Sequence, residues 1–210
     1  MKLAFVLYPD MTALDLVGPY EVLTQWPGSE AVFVASTPGD VTADSGLPLR
    51  ATHGLDEVSD PDVVVVGGSS RTEVALEDEA LIGWLAEVQP KWLTSVCTGS
   101  GLLAKAGRLD GVRAATHWAW RERLAELGAI PVAEQVVFEP PVVTAAGVSA
   151  GIDMALALTA RELGDDVAKA IQLGIEYDPD PPFDAGSPEK AGPDLTNLLR
   201  QLMAASEATA

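Results

Sequence analysis

Hydrophobic residues along this chain come in two textures that alternate. KLAFVLY (2–8), AVFVAS (31–36), DVVVVGG (62–68) and WLTSV (92–96) are short apolar runs without regular polar alternation. Such runs predict strands with both faces covered. DLVGPYEVLTQW (15–26), EDEALIGWLAEV (77–88) and SGLLAKAG (100–107) instead carry helical spacing, with Asp15 at the entrance of the first and Gly107 as the C-cap of the last. Further on, HWAWRERLAELG (117–128) reads as a helix, QVVFE (135–139) and PVVTAA (141–146) as strands, and GIDMALALTARELG (151–164) with DDVAKAIQLGIEY (165–177) as two helices in succession. This order predicts a doubly wound α/β sandwich around a mostly parallel sheet. The Pro- and Gly-rich stretch at about 177–194 predicts a surface arm before a final helix, and residues 1–210 read as a single domain.

Composition narrows the partners. Thirteen basic residues stand against thirty-one acidic ones, a formal net charge of −18, so a nucleic-acid partner is not expected. No apolar run approaches the roughly 18 residues that span a bilayer, and the start lacks a cationic and then apolar leader, so the expectation is a cytoplasmic protein with no membrane partner. The single cysteine, Cys97, cannot form an internal disulfide, in keeping with a reducing compartment.

Ligands of such a sheet gather beyond the carboxyl ends of its strands, where LDLVGP, VGGSS and VCTGSG converge. The last has the form of a nucleophile elbow, with Cys97 on a tight strand-to-helix turn and small neighbours at Gly99 and Gly101. A helix starting just after Cys97 would favour the thiolate, although free cysteines are also among the most buried residues. Gly67 and Gly68 close a strand either as a plain turn or so that a backbone N–H, with that of Thr98, can hold developing negative charge. Asp15 is either a helix N-cap or a carboxyl with a raised pKa that moves protons. Glu21 is a second carboxylate, expected to face solvent. His53 is expected at the surface. Two separated histidines and one cysteine offer no metal-ligand spacing, and no dinucleotide or phosphate loop is present, so neither metal nor cofactor is expected.

VVVVGG, SVCTGSGLLAKAGRLDGVRAATHW and GVSAGIDMALAL together resemble the DJ-1/PfpI superfamily, over nearly the whole chain. Within it, YPDMTALDLVGPYEVL, the Cys97–Thr98 pair and IEYDPDPPFDAGSP resemble isonitrile hydratases. The resemblance implies a flavodoxin-like α/β fold, a homodimer, and hydration of an isonitrile to an N-substituted formamide. It places Cys97 as nucleophile, Asp15 as acid and base, Thr98 beside them, and His117 near the nucleophile, where it either orients the thiolate or begins a helix at a dimer contact. The crevice is expected to be apolar and to take bulky, uncharged groups. PfpI-type peptidases place a histidine where this chain has Thr98, and DJ-1-like glyoxalases a glutamate where it has Asp15. AraC-type regulators add a helix-turn-helix region of about a hundred residues that this chain does not contain. A DJ-1-like glyoxalase or redox-responsive protein, and a non-catalytic small-molecule-binding module, remain as alternatives.

Overall fold

The structure is a computed structural model and describes residues 1–208. Seven strands form the central sheet: β1 (Lys2–Val6), β2 (Glu30–Ala35), β3 (His53–Gly54), β4 (Val63–Val66), β5 (Trp92–Val96), β6 (Val136–Glu139) and β7 (Val142–Ala145). Their order is β6-β7-β5-β4-β1-β2-β3, and every pair is parallel except β6 with β7. All four valines of β4 are wholly buried, which is why that run carries no polar alternation. Each such side chain contributes about 1.5–3 kcal/mol by leaving water.

The chain moves from β1 outward to β2 in one direction and from β4 through β5 to β7 in the other. Right-handed crossovers therefore put the connecting helices on opposite faces. Helix α1 (Ala13–Leu23) packs on α4 (Ala150–Leu163), which packs on α5 (Asp165–Gly174), while α2 (Glu79–Glu87) packs on α3 (Gly99–Lys105). Where α1 meets α4 the helices come close: a Cβ on Gly18 would lie 3.0 Å from Ile152, and one on Gly151 would lie 3.0 Å from Pro19. Helix α3 ends in the expected glycine: Gly107 has φ +75°, its N–H reaches Ala104 O, and Arg108 N–H reaches Leu103 O.

Registers bring the carboxyl ends of the central strands level. Val66 is paired with Val6 on one side and Ser95 on the other, and Ala145 is paired with Val96. The segments that follow β1, β4, β5 and β7 therefore emerge together, at the point where the strand order reverses.

Several elements depart from the sequence reading. Gly39–Thr42 and Pro48–Ala51 form a separate antiparallel ribbon, and Arg113–Ala114 pairs with Ile130–Pro131. The stretch read as a helix from residue 117 opens as a 3₁₀ turn, Trp118–Trp120, before the short helix Arg121–Glu126. Helix α1 begins at Ala13 with Thr12 in the cap position, so Asp15 stands inside the first turn and is not the cap. Residues 177–187 carry no helix or strand, after which Pro188–Ala191 makes one turn and α6 (Pro193–Ala208) follows. The Arg200 guanidinium of α6 lies over the Trp118 ring at 5.5 Å. Among the described residues no helix is long and apolar enough to cross a membrane.

Candidate active site

Cys97 is the pivot between β5 and α3. It adopts φ +58°, a left-handed conformation uncommon for a residue with a side chain. Surrounding bonds hold it there. Its N–H reaches Ala146 O at 2.8 Å, and its carbonyl accepts from the hydroxyls of Thr116 at 3.1 Å and Ser100 at 3.2 Å. The fold thus stores a strained corner that turns the sulfur toward Asp15.

Asp15 is fully buried. Its Oδ2 accepts the Gly68 N–H at 2.7 Å. Oδ1 makes no hydrogen bond of ordinary geometry, although the Cys97 thiol is close enough to act on the carboxyl. Burial pushes the Asp15 carboxyl up to about 7, and the negative charge of Asp44 adds to this, while the Gly68 N–H and the Cys97 thiol pull the other way. For Cys97, burial first and the Asp15 charge second push the thiol up to about 12. The N–H groups of Thr98 and Val148 and the Thr98 hydroxyl favour the thiolate without outweighing those two. The N–H at the start of α3 favours the thiolate, as the sequence suggested, but desolvation and the neighbouring carboxylate act against it. The carboxyl therefore ionises before the thiol, and an ionised Asp15 keeps the proton on sulfur.

Gly67 and Gly68 are a steric requirement. A Cβ on Gly67 would lie 2.9 Å from Asp15 Cβ, and one on Gly68 would lie 2.5 Å from Thr98 N and 3.0 Å from Cys97 Cβ. The sequence reading offered the Gly68 N–H as a charge-stabilising donor, but this group is committed to Asp15 and orients the carboxyl. The main-chain donor that reaches sulfur together with Thr98 is Val148, in the turn after β7. Sequence reasoning missed it because a backbone N–H carries no residue signature.

Thr98 lies behind the elbow, with Ser69 N–H donating to its Oγ1 at 3.0 Å. Tyr8 is buried beside the same strand ends and donates to Gly67 O at 2.7 Å. His117 is placed differently. It caps the 3₁₀ turn through Nδ1, which accepts the Ala119 N–H at 3.4 Å, stacks on Trp118 with centroids 5.4 Å apart, and has its pKa lowered by burial and Arg121. Its interactions are those of a helix start. Glu21 is exposed and His53 is a half-buried edge residue bonded to Thr52, both away from the site.

A cavity of about 280 Å³ opens beside the turn that carries Val148. His117, Arg121, Gln135, Ser149 and Ser187 are among its lining, and neither Cys97 nor Asp15 is. No group of three or more potential metal ligands occurs among the described residues.

A left-handed cysteine at a strand-to-helix elbow, facing a buried carboxyl at the switch point of a parallel sheet, defines a cysteine-elbow α/β protein. The sequence pattern of the DJ-1/PfpI family matches residues 1–161, and the chain belongs to that family. It is 39% identical over 208 residues to an isonitrile hydratase of Pseudomonas putida, covering 98% of this chain and 91% of that one. A ThiJ/PfpI family protein from Pseudomonas syringae superposes with a TM-score of 0.93 at 36% identity, covering 97% of this chain and 86% of that structure. An HTH-type transcriptional regulator of Pseudomonas aeruginosa, CdhR, is 32% identical over 145 residues, but the match spans 66% of this chain and 42% of the regulator.

Proposed function

We propose that this protein is an isonitrile hydratase, an enzyme that adds water to R–N≡C and releases R–NH–CHO. The observation that carries the reading is the buried Asp15 carboxyl, oriented by the Gly68 N–H, beside the left-handed Cys97 elbow, supported by the near full-length similarity to an isonitrile hydratase. The terminal carbon of an isonitrile attracts soft nucleophiles and must also gain a hydrogen. A thiol next to a carboxylate supplies both.

The steps follow from the resting protonation state. As sulfur attacks the carbon, the thiol proton passes to the Asp15 carboxylate, and Asp15 then delivers it to that same carbon. The product of this half-reaction is a thioimidate, R–N=CH–S–Cys97. Asp15, a carboxylate again, takes a proton from water as the water oxygen bonds to the carbon, and passes that proton to nitrogen. The C–S bond then breaks as the new hydroxyl becomes the formyl C=O, its proton returns through Asp15 to sulfur, and the formamide leaves. The N–H groups of Thr98 and Val148 stabilise negative charge on sulfur in both half-reactions, and Gly68 keeps the carboxyl oriented.

Incubation with an alkyl or aryl isonitrile while following the formamide proton by NMR tests this. Enzyme-dependent formamide is the expected result. Consumption of methylglyoxal with no formamide would overturn it in favour of a glyoxalase. Because Asp15 must start as carboxylate, kcat/KM should rise with pH through about 7 and then level off. A profile flat from pH 5 to 9 would exclude Asp15 from the first proton transfer.

The assembly proposed is a homodimer. Leu195, Leu198 and Leu202 of α6 and Phe183 of the arm are exposed apolar residues of the kind that oligomers cover. Sedimentation equilibrium at micromolar concentration should give twice the mass of one chain, and the monomer mass would count against it. A working thiol nucleophile suits a reducing compartment, and the cytoplasm is the one we propose.

A further inference from the structure

We infer that Thr72 is a positioning residue for this chemistry, because its hydroxyl can pair with the Thr98 hydroxyl in either direction and so lets the Thr98 proton turn to the sulfur when charge builds there. The inference rests on the hydratase reading for its kinetic consequence, but not for its effect on the sulfur.

Thr72 opens the short helix Thr72–Ala75, is 3% exposed, and belongs to a segment with no role so far. Its Oγ1 lies 2.6 Å from Thr98 Oγ1 and 2.8 Å from Ser69 O. A threonine hydroxyl has one proton to give and two lone pairs to fill. On Thr98 one lone pair is filled by the Ser69 N–H at 3.0 Å. When Thr72 donates to Thr98, the second lone pair is filled as well. The Thr98 proton is then left for Ser69 O, a long contact at 3.3 Å, or for the adjacent Cys97 sulfur, whose thiolate the Thr98 hydroxyl favours.

The same two hydroxyls can run in the opposite direction. Thr72 then donates to Ser69 O at 2.8 Å, and Thr98 donates to Thr72 across the 2.6 Å contact. Exchange between the two arrangements needs only two O–H rotations and leaves the heavy atoms in place. Negative charge on sulfur draws the Thr98 proton toward it and selects the first arrangement, in which each hydrogen bond polarises the next. A neutral sulfur, as in the thioimidate, releases the second. Thr72 thus allows the Thr98 proton to follow the charge on sulfur while both hydroxyls stay hydrogen-bonded.

The test uses the full-length protein with Thr72→Val, Thr72→Ser and Thr98→Val, and the double variant Thr72→Val/Thr98→Val. Two readouts are taken: kcat and KM for isonitrile hydration, and the rate of Cys97 alkylation by iodoacetamide as a function of pH. Loss of one neutral buried hydrogen bond predicts a kcat about threefold to tenfold lower in Thr72→Val with KM little changed. The alkylation profile of that variant should move to higher pH, and Thr72→Ser should behave as wild type. In the Thr98→Val background, Thr72→Val should change nothing further, because its target is gone. The inference is overturned by an equal fractional loss in both backgrounds, which marks a packing role, or by an alkylation profile that superimposes on wild type. Should valine disturb folding, Thr72→Ala removes the same hydroxyl without adding bulk. If the wild type forms no formamide, the hydratase reading fails, and the alkylation profile alone decides for or against Thr72.

Discussion

Cys97→Ser is expected to lower formamide formation by at least about 10⁴-fold while leaving the fold intact, as loss of a nucleophile commonly does. The reason lies in the proton transfer that starts the reaction. Asp15, held at about 7, can take the proton of a thiol held at about 12 as the sulfur attacks. A serine hydroxyl is far less acidic, and the oxygen is a poorer match for the soft isonitrile carbon. The local backbone gives no reason for unfolding, since the elbow is held by the bonds of residue 97's own N–H and carbonyl with Ala146, Thr116 and Ser100, which serine retains. A folded serine variant with more than about a hundredth of wild-type activity would remove the covalent intermediate and favour direct attack by water.

Asp15→Asn is expected to lose at least about 10²-fold in kcat, the usual cost of removing a general acid and base. It should also gain stability at alkaline pH. The folded-state pKa of Asp15 is raised, so the folded chain holds this proton more tightly than the unfolded chain does. The resulting contribution to stability is full below the unfolded value near pH 4 and is lost as pH rises through about 7. Above that pH wild type carries a buried carboxylate, and asparagine carries none. A rise in Tm at pH 8 of roughly 3–6 °C is expected, corresponding to about 1–2 kcal/mol in a chain of this size. The difference should shrink by pH 5. A variant that is inactive but also less stable at pH 8 would mean that Asp15 acts mainly through the Gly68 N–H it holds, as a structural link between α1 and the end of β4.

These expectations depend on how far the sequence disclosed the site. The strands were legible because parallel strands buried on both faces leave an unbroken apolar run, and VVVV is wholly buried. Cys97 was legible because small residues crowd an abrupt change from strand to helix. Asp15 was found but misplaced as the helix entrance. The reason is tertiary: helix α1 starts two residues earlier, at Ala13, and the carboxyl is turned inward by the Gly68 N–H, 53 residues away in the chain. The ribbon of residues 39–51 was missed because its two four-residue strands leave several side chains in solvent and show little apolar pattern. Val148 acts through its backbone and Thr72 through a partner 26 residues distant, so neither is marked in a linear reading.

The close backbone approach at Gly67, Gly68 and Gly99 also bears on how this enzyme can be altered. A Cβ at Gly99 would lie 2.7 Å from Gly67 O, so the end of β4 and the start of α3 meet main chain to main chain. In a saturation scan, these three positions should tolerate no substitution, alanine included, and directed evolution will find no variation there to select. The turn at residues 146–149 and the surface around Ser187 line the neighbouring cavity with side chains that can be exchanged. Substitutions near the site are tolerated on that wall and not on the glycine wall.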